Sequence, residues 1–317
     1  MVDHIPVEQV QCIFCRDNDF SIIAEGFDYE YWSSQQKFSW GECQTCGHFY
    51  LNPRPTPASW ADLYTSNYYT LSGKHTARSS RIVATLKKHV IRRRLKKFIS
   101  MVPADAHVLE IGCGDGSLLT DLKDIRPQMT LTGIDLAFSD ITKQQCSDRK
   151  INLIEGGIET IDLPQNTYNF VIMNQLIEHL WNPQKALTNI FQAMKKDGLI
   201  SIETVNMDGY DRKIVTDGKW GGYYIPRHLN LFTFKSLRRL LEECGYTVQH
   251  QYSLLAPIIW TFSLHAVLCP TFREKKSLAD KFFSDRNPVC LALFTLVDIL
   301  ASLCGQTTSN QKIIAKK

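Results

Sequence analysis

The stretch VLEIGCGDG, Val108–Gly116, decides the fold of this chain. A short apolar run that contains one acid, Glu110, leads into three glycines at alternate positions, and a helical pattern follows at once. Glycine has no Cβ and adopts positive φ readily, so a ligand can approach the backbone of such a turn closely. The stretch therefore predicts a buried strand, a tight turn and a helix N-terminus, with Gly112, Cys113 and Gly114 at a ligand.

Strand and helix patterns alternate without interruption from 107 to 206, which is typical of a parallel sheet covered by helices. We expect a Rossmann-like, doubly wound α/β fold with a mostly parallel sheet of about seven strands, of which Gln311–Lys316 is the last. Ligands of such sheets bind beyond the carboxyl ends of the strands, where the strand order reverses. Asp135 ends the second predicted strand, where its carboxylate can accept hydrogen bonds from both hydroxyls of a ribose.

The E-x-G-x-G-x-G spacing from Glu110 and the segment Tyr168–Leu180, which ends in E-H-L, resemble the motifs of class I S-adenosylmethionine-dependent methyltransferases. The resemblance implies that the glycine turn faces the methionine part of S-adenosylmethionine, that Asp135 holds the ribose and that the backbone of Ile158 contacts the adenine. Asn174, at the end of the fourth predicted strand, then borders the transferable methyl group. The implied cofactor-binding residues are Glu110, Gly112, Cys113, Gly114, Asp135, Leu136, Ile158 and Asn174.

Four of the ten cysteines form two C-x-x-C pairs near the N-terminus, Cys12 with Cys15 and Cys43 with Cys46. Two such pairs can complete a tetrahedral zinc site of four thiolates, and a small ribbon of this kind has a structural role. Chance pairing of structural cysteines is the alternative, and His48 is expected to be a neighbour of the site and not a ligand. Because no secretory signal is present, we expect reduced thiols and a cytoplasmic protein.

The order of the two cysteine pairs, an N-P-R-P segment at 52–55 and the pair Tyr68-Tyr69 resembles one methyltransferase subgroup. Members of this subgroup carry an N-terminal zinc-binding module and include sugar C-methyltransferases, and many others act in surface-glycan or natural-product pathways. The resemblance implies a small-molecule or lipid-linked sugar as the methyl acceptor, with carbon or oxygen as the methylated atom.

An irregular segment, Trp220–Thr233, has the composition of a loop over an active site. In the subgroup, a histidine of this segment and a nearby tyrosine are implicated in catalysis, which points to His228 and Tyr224. The alternative is an aromatic loop that caps the helix beginning near Thr233. His179 either hydrogen-bonds a neighbouring loop or helps to orient the substrate and accept its proton.

The pattern over 77–101 predicts an amphipathic helix whose polar side is basic. It forms either a solvated face or a surface that attracts the phosphates of a nucleotide-sugar, a membrane or RNA. A zinc ribbon with a basic helix makes an rRNA or tRNA methyltransferase the alternative function, although the formal net charge of +4 and the apolar segment 254–304 make nucleic acid a less favoured partner. A non-enzymatic binding module is a third hypothesis, which the intact glycine motif disfavours.

The segment 254–304 contains two strongly apolar stretches, each shorter than the roughly 20 residues that cross a bilayer. We expect a helical pair that closes the substrate cleft, forms a homodimer or rests on the inner face of a membrane, in that order. The predicted domains are a zinc ribbon at 1–57, a linker with the basic helix at 58–101, a cofactor-binding domain at 102–253 and 305–317, and the apolar insert at 254–304.

Overall fold

A computed structural model describes residues 4–59, 63, 100–268 and 287–317. Nearly all of the predicted basic helix over 77–101 lies outside these residues, as do Tyr68, Tyr69 and residues 269–286 of the apolar insert.

The N-terminal part of the chain forms five short strands before residue 56. These are β1 (Val7–Glu8), β2 (Phe20–Gly26), β3 (Phe38–Cys43), β4 (Phe49–Leu51) and β5 (Arg54–Pro55). Strands β1 and β5 pair with each other, and β2, β3 and β4 pair antiparallel in chain order. The patterns over Phe20–Ala24 and Lys37–Trp40, between the two cysteine pairs, predict two ribbon strands, and β2 and β3 confirm them.

Strands and helices alternate through most of the remaining chain. They are β6 (His107–Ile111), α1 (Ser117–Ile125), β7 (Thr130–Asp135), α2 (Asp140–Asp148), β8 (Asn152–Glu155), β9 (Tyr168–Asn174), α3 (Pro183–Ala193), β10 (Met194–Val205), β11 (Asn230–Leu231), α4 (Phe234–Glu243), β12 (Thr247–Leu254), α5 (Pro257–Leu268), α6 (Pro288–Leu303) and β13 (Asn310–Lys316).

Seven strands form the central sheet in the order β12-β13-β10-β9-β6-β7-β8. Strand β13 runs antiparallel to both of its neighbours, and the other strands are parallel. The predicted doubly wound, mostly parallel sheet is therefore confirmed. The strand order reverses between β6 and β9, since β7 and β8 follow on one side of β6 while β9 and β10 lie on the other. A ligand crevice is expected at this point, beyond the carboxyl ends of the strands.

Apolar side chains cover both faces of the sheet, and local signals set the ends of the helices. Helix α3 begins after Asn182, whose side chain accepts a hydrogen bond from the amide of Lys185. Helix α4 begins with a capping box, in which Thr233 and Ser236 each bond the backbone amide of the other. The glycine turn leads into α1, and its last residue, Gly116, has φ of 69°.

Strand β10 begins earlier than the sequence pattern predicts. The sequence pattern predicts a helix over Pro183–Lys196 and a strand over Leu199–Thr204, but the strand starts at Met194 and its pairing with β9 shifts register between Met194 and Leu199. Asp197 has φ of 66° within this irregular part. A bulge of this kind cannot be distinguished from a helix end by its residues alone, because glycine and positive φ occur at both.

Strand β11 completes a second sheet, in the order β11-β4-β3-β2. This sheet therefore combines the N-terminal strands with two residues of the segment that follows β10. Its core contains Trp40 and Trp220, both fully buried, and Trp40 stacks on Tyr223. The N-terminal module, which comprises strands β1 to β5, is thus packed directly on the predicted active-site loop.

The two described parts of the apolar insert are helical, as predicted. Helices α5 and α6 pack together through stacked Trp260 and Phe294 rings, and the buried carboxylate of Asp298 accepts hydrogen bonds from Trp260 and from the amide of Ala256. None of the described helices combines the length and the apolarity that crossing a bilayer requires. Helix α6 leaves one row of apolar side chains exposed, namely Val289, Leu293, Leu296, Leu300 and Leu303.

Candidate functional site

The glycine turn follows β6 at the point where the strand order reverses. Gly112 and Gly114 have φ of 72° and 54°, a conformation that side chains with a Cβ rarely adopt. The amides of Gly112 and Cys113 both donate to the carbonyl of Ile134 on β7, at 2.8 and 3.1 Å. The turn is thereby folded against the end of the neighbouring strand.

Asp135 lies at the end of β7, beside this turn. Its carboxylate accepts one hydrogen bond from the amide of Gly114 and one from the amide of Leu136, each 2.8 Å long. Burial raises the pKa of Asp135 above its ordinary value, and these two amide hydrogen bonds oppose the shift. Each oxygen has further lone pairs, so the carboxylate can accept additional hydrogen bonds from a ligand.

Glu110 and Asn174 contribute two buried polar atoms without hydrogen-bond partners among the described residues. These atoms are Oε2 of Glu110, near the end of β6, and Oδ1 of Asn174, at the end of β9. Burial raises the pKa of Glu110 well above its ordinary value, and the nearby carboxylates of Asp115 and Asp135 add to the effect. Because unpaired buried acceptors are costly, both atoms suit a ligand that brings donors or positive charge.

The other predicted cofactor residues divide into exposed and buried groups. The Leu136 side chain is 46% exposed beside Gly157 and can pack against a flat apolar group. Ile158 is buried in the main core, and its carbonyl accepts a hydrogen bond from Asn189. The Cys113 thiol lies against Gly133, also in the core. Ile158 and Cys113 therefore present backbone, and not side chains, to this crevice.

A second group of polar side chains follows β9. His179 and His228 have ring centroids 4.7 Å apart, and Nε2 of His228 lies 4.0 Å from Oε1 of Glu178. The other carboxylate oxygen of Glu178 accepts a 2.7 Å hydrogen bond from the hydroxyl of Thr204, on β10. The structure thus brings together two of the three predicted catalytic residues and adds Glu178 and Thr204 to them.

Backbone carbonyls fix the orientation of both imidazoles. Nδ1 of His179 lies 3.1 Å from the carbonyl of Arg227, and Nδ1 of His228 lies 2.9 Å from that of Gly222. Because a carbonyl only accepts, each Nδ1 carries the proton and each Nε2 keeps its lone pair in the neutral ring. The hydrogen bond of His179 agrees with the prediction that this residue bonds a neighbouring loop. It is also compatible with the other predicted role, in which His179 orients the substrate and accepts its proton.

Burial controls the charge of this group. It lowers the pKa of His179 to about 4 and that of His228 well below its ordinary value. It also raises the pKa of Glu178 to about 7, although the hydrogen bond from Thr204 acts in the opposite direction. Both imidazoles are therefore neutral at pH 7.

Tyr224, the third predicted catalytic residue, packs beside the two histidines. Its ring centroid lies 5.0 Å from that of His228 and 6.1 Å from that of His179. Tyr224 also lines a small open cleft, whose other aromatic walls are Phe27, Tyr29, Trp220, Tyr223 and Phe262. The predicted catalytic residues therefore stand beside an aromatic cleft.

Asp28 and Glu178 hold the loop in place, and neither is among the predicted site residues. The guanidinium of Arg227 donates to both carboxylate oxygens of Asp28, at 3.0 Å each, and to the carbonyl of Leu63 at 2.8 Å. On the other side of His228, the amide of Leu229 donates to the carbonyl of Glu178 at 2.7 Å. Both neighbours of His228 are thus anchored. No local pattern marks Asp28, whereas Glu178 lies within the E-H-L motif that drew attention to His179.

The four N-terminal cysteines come together as their spacing predicts. Their sulfur atoms all lie within 4.8 Å of one another, with Cys12 3.4 Å from Cys46 and Cys15 3.4 Å from Cys43. The group can hold a metal ion. His48 is fully buried outside it, and its Nε2 lies 3.3 Å from the side-chain oxygen of Asn230 on β11.

Comparisons with known proteins agree with this arrangement. The chain is 23% identical over 146 residues to a "Probable S-adenosylmethionine-dependent methyltransferase" of Mycolicibacterium smegmatis, which covers 46% of this chain and 54% of the relative. It is 32% identical over 103 residues to the ubiquinone biosynthesis O-methyltransferase of Rickettsia typhi, which covers 31% of this chain and 41% of that protein. The chain thus spans about half the length, or less, of these curated relatives.

A solved structure of a SAM dependent methyltransferase from Archaeoglobus fulgidus is similar with a TM-score of 0.44 and 20% identity, over 73% of this chain and 94% of that one. The model of the methyltransferase domain family matches residues 84–251, which is more than half of the 317 residues. The chain therefore belongs to the methyltransferase domain family.

Proposed function

We propose that this protein transfers a methyl group from S-adenosylmethionine to a sugar. One observation carries the proposal. The Asp135 carboxylate beside the glycine turn and the buried group of Glu178, His179 and His228 both follow the carboxyl ends of central strands, on either side of the point where the strand order reverses. One side of this crevice suits a nucleoside, and the other suits a polar acceptor.

The residues on the first side fit S-adenosylmethionine. Asp135 would hold the two ribose hydroxyls, and the glycine turn would lie against the methionine part. The unpartnered atoms of Glu110 and Asn174 provide acceptors for the donors and the positive charge of this ligand. Leu136 and the backbone at Ile158 would border the adenine. When bound, S-adenosylmethionine supplies an electrophilic methyl group on a positively charged sulfur.

The residues on the second side would bind the acceptor. His228 and His179 are neutral and fixed in orientation by backbone carbonyls, so they can bind a hydroxyl group through Nε2. Tyr224 packs against both rings and would close the acceptor site on one side. The main contribution of the protein is to position and desolvate the acceptor, because the leaving group is already activated by its charge.

The aromatic cleft favours a sugar as the acceptor. The cleft beside Tyr224 has aromatic walls, and aromatic faces pack well against the C–H faces of a sugar ring while a few polar groups fix its hydroxyls. Phe262 and Ala266 of α5 also line this cleft. We therefore propose that the apolar insert closes the acceptor cleft, in agreement with the first of its three predicted roles.

We also propose that Cys12, Cys15, Cys43 and Cys46 bind one structural Zn²⁺. The proposal is supported by four thiols that converge at the end of a small sheet whose own core is limited. The zinc would hold the N-terminal module, and through β4 and β11 it would support the loop that carries His228.

A transfer assay with labelled S-adenosylmethionine against nucleotide-sugars, glycolipids and rRNA tests the proposed function. We expect label on a sugar, strongly reduced turnover in His228→Ala with little change in cofactor affinity, and no effect of His250→Ala, which changes an exposed histidine of β12. Transfer to rRNA with binding that weakens steeply as salt is added would replace the sugar by RNA. Equal turnover in His228→Ala and the wild type would remove His228 from the site.

A further inference from the structure

We propose that Glu178, His179 and His228 bind a divalent first-row transition-metal cation on the acceptor side of the crevice. One ligating atom of each residue lies within 4.8 Å of those of the other two, and this group is separate from the four-cysteine cluster. Two imidazoles and one carboxylate are a ligand set that suits such cations and leaves further coordination positions open.

The spacing within the group leaves room for an ion. Nε2 of His228 and Oε1 of Glu178 are 4.0 Å apart, too far for a hydrogen bond. Metal–nitrogen and metal–oxygen bonds are about 2.0–2.2 Å long, so one ion between the two atoms can bind both. Oε1 of Glu178 has no hydrogen-bond partner among the described residues, although the Glu178 side chain is fully buried. An unpaired carboxylate oxygen in that position is costly unless a ligand binds it.

The surroundings have the features that orient metal ligands in proteins. Histidine ligands usually donate their second nitrogen to a carbonyl or carboxylate, and ligating carboxylates are themselves hydrogen-bonded. Here the carbonyls of Arg227 and Gly222 receive the Nδ1 protons, and the Thr204 hydroxyl bonds Oε2 of Glu178. These contacts fix the three side chains and leave Nε2 of His228 and Oε1 of Glu178 facing each other across the 4.0 Å gap.

The inference deepens the proposed function and rests on it only for the identity of the acceptor. A cation held by two neutral histidines and one carboxylate keeps one net positive charge, which favours binding of an acceptor oxygen and makes its hydroxyl more acidic. In this arrangement the histidines act as ligands. The preferred acceptor is then a molecule that offers the cation a hydroxyl, or two adjacent oxygen atoms such as the vicinal hydroxyls of a sugar.

Titration of Mn²⁺ into the full chain loaded with a single equivalent of zinc tests the site, because four thiolates bind zinc more tightly than two imidazoles and one carboxylate do, so the zinc fills the four-cysteine site and leaves the other site open to Mn²⁺. Electron paramagnetic resonance of the free ion and calorimetry would measure binding. We expect about one bound Mn²⁺ per chain in the wild type and at least a tenfold loss of affinity in Glu178→Gln and in His228→Ala. Thr204→Val should weaken binding by about 10- to 100-fold. His250→Ala is the matched control and should bind Mn²⁺ as the wild type does.

Absence of bound Mn²⁺ in the wild type, or equal binding in Glu178→Gln, would overturn the site. Glu178→Gln keeps the shape of the side chain, and S-adenosylmethionine affinity measured on the same samples reports whether each variant is folded. The experiments can overturn the metal site and the proposed methyl transfer independently of each other. Methyl transfer without Mn²⁺ binding overturns the metal site alone, whereas Mn²⁺ binding that depends on Glu178 without any methyl transfer supports the site and overturns the function.

Discussion

Arg227 donates from two guanidinium nitrogens to the two carboxylate oxygens of Asp28, at 3.0 Å each, although 199 residues separate them in the chain. Both side chains are buried. Asp28 belongs to the N-terminal module, and Arg227 immediately precedes His228. The ion pair therefore ties the module to the residue that we place on the acceptor side of the crevice.

Replacing Asp28 by asparagine should destabilise the protein strongly. The change leaves the Arg227 charge buried without its partner, and breaking a buried pair in this way costs about 3–5 kcal/mol. Urea unfolding followed by circular dichroism measures the loss. Glu25→Gln is the control, since it removes an exposed ion pair with Lys37 in the same module and should have little effect. Equal stability of Asp28→Asn and the wild type would show that the pair does not hold the loop.

The Asp28–Arg227 ion pair should make the free energy of unfolding depend on pH. Burial alone would raise the pKa of Asp28, but the Arg227 charge and the hydrogen bonds to the carboxylate outweigh burial and lower the pKa below 3.8. The unfolded chain then binds the proton more readily than the folded chain, so the contribution of the pair is complete above about pH 4 and is lost as the pH falls through the lower, folded value. The stability difference between the wild type and Asp28→Asn should therefore narrow below pH 4. A constant difference down to pH 2 would contradict this account.

Removing the carboxylate of Asp135 should weaken S-adenosylmethionine binding. Hydrogen bonds to a charged group contribute about 1.5–3 kcal/mol, so we expect Asp135→Ala to lower the affinity by about 10- to 100-fold or more. Calorimetric titration with S-adenosylmethionine provides the measurement. Asp148→Ala, which changes an exposed aspartate of α2, should bind as the wild type does. Unchanged affinity in Asp135→Ala would remove the ribose assignment.

Metal analysis should find about one zinc per chain in the purified protein. Cys43→Ser should lose most of this zinc, because three thiolates remain in a site built for four. Cys304→Ser removes an exposed cysteine elsewhere and should keep the zinc content of the wild type. A folded wild-type protein without metal would contradict the zinc proposal.

The main features of the central fold could be predicted because they depend on local patterns. Gly112 and Gly114 follow an apolar run at the spacing of a strand, turn and helix, and they adopt the positive φ that only glycine tolerates easily. Asp135 ends the next apolar run and lies beside that turn. The glycine turn and Asp135 could both be placed from the alternation of strand and helix patterns, because each of these patterns is recognisable in a short window of the sequence.

The features that escaped prediction depend on contacts between distant parts of the chain. Strand β11 has only two residues, Asn230 and Leu231, and is a strand because β4 lies beside it. Asp28 and Arg227 are each unremarkable in their own segments, and only the folded chain buries them as a pair. Thr204 lay at the end of a predicted strand, but nothing in its neighbours indicated that its hydroxyl bonds Glu178.

The pairing of β11 with β4 also affects the order in which the chain can fold. Ribosomes make β2, β3 and β4 long before residues 230 and 231, so the edge of β4 in the growing chain lacks the strand that later covers it. Uncovered sheet edges can pair with other chains. If β2, β3 and β4 pair before residues 230 and 231 are made, the edge of β4 stays uncovered until then, and the pairing of β11 with β4 removes this risk of aggregation.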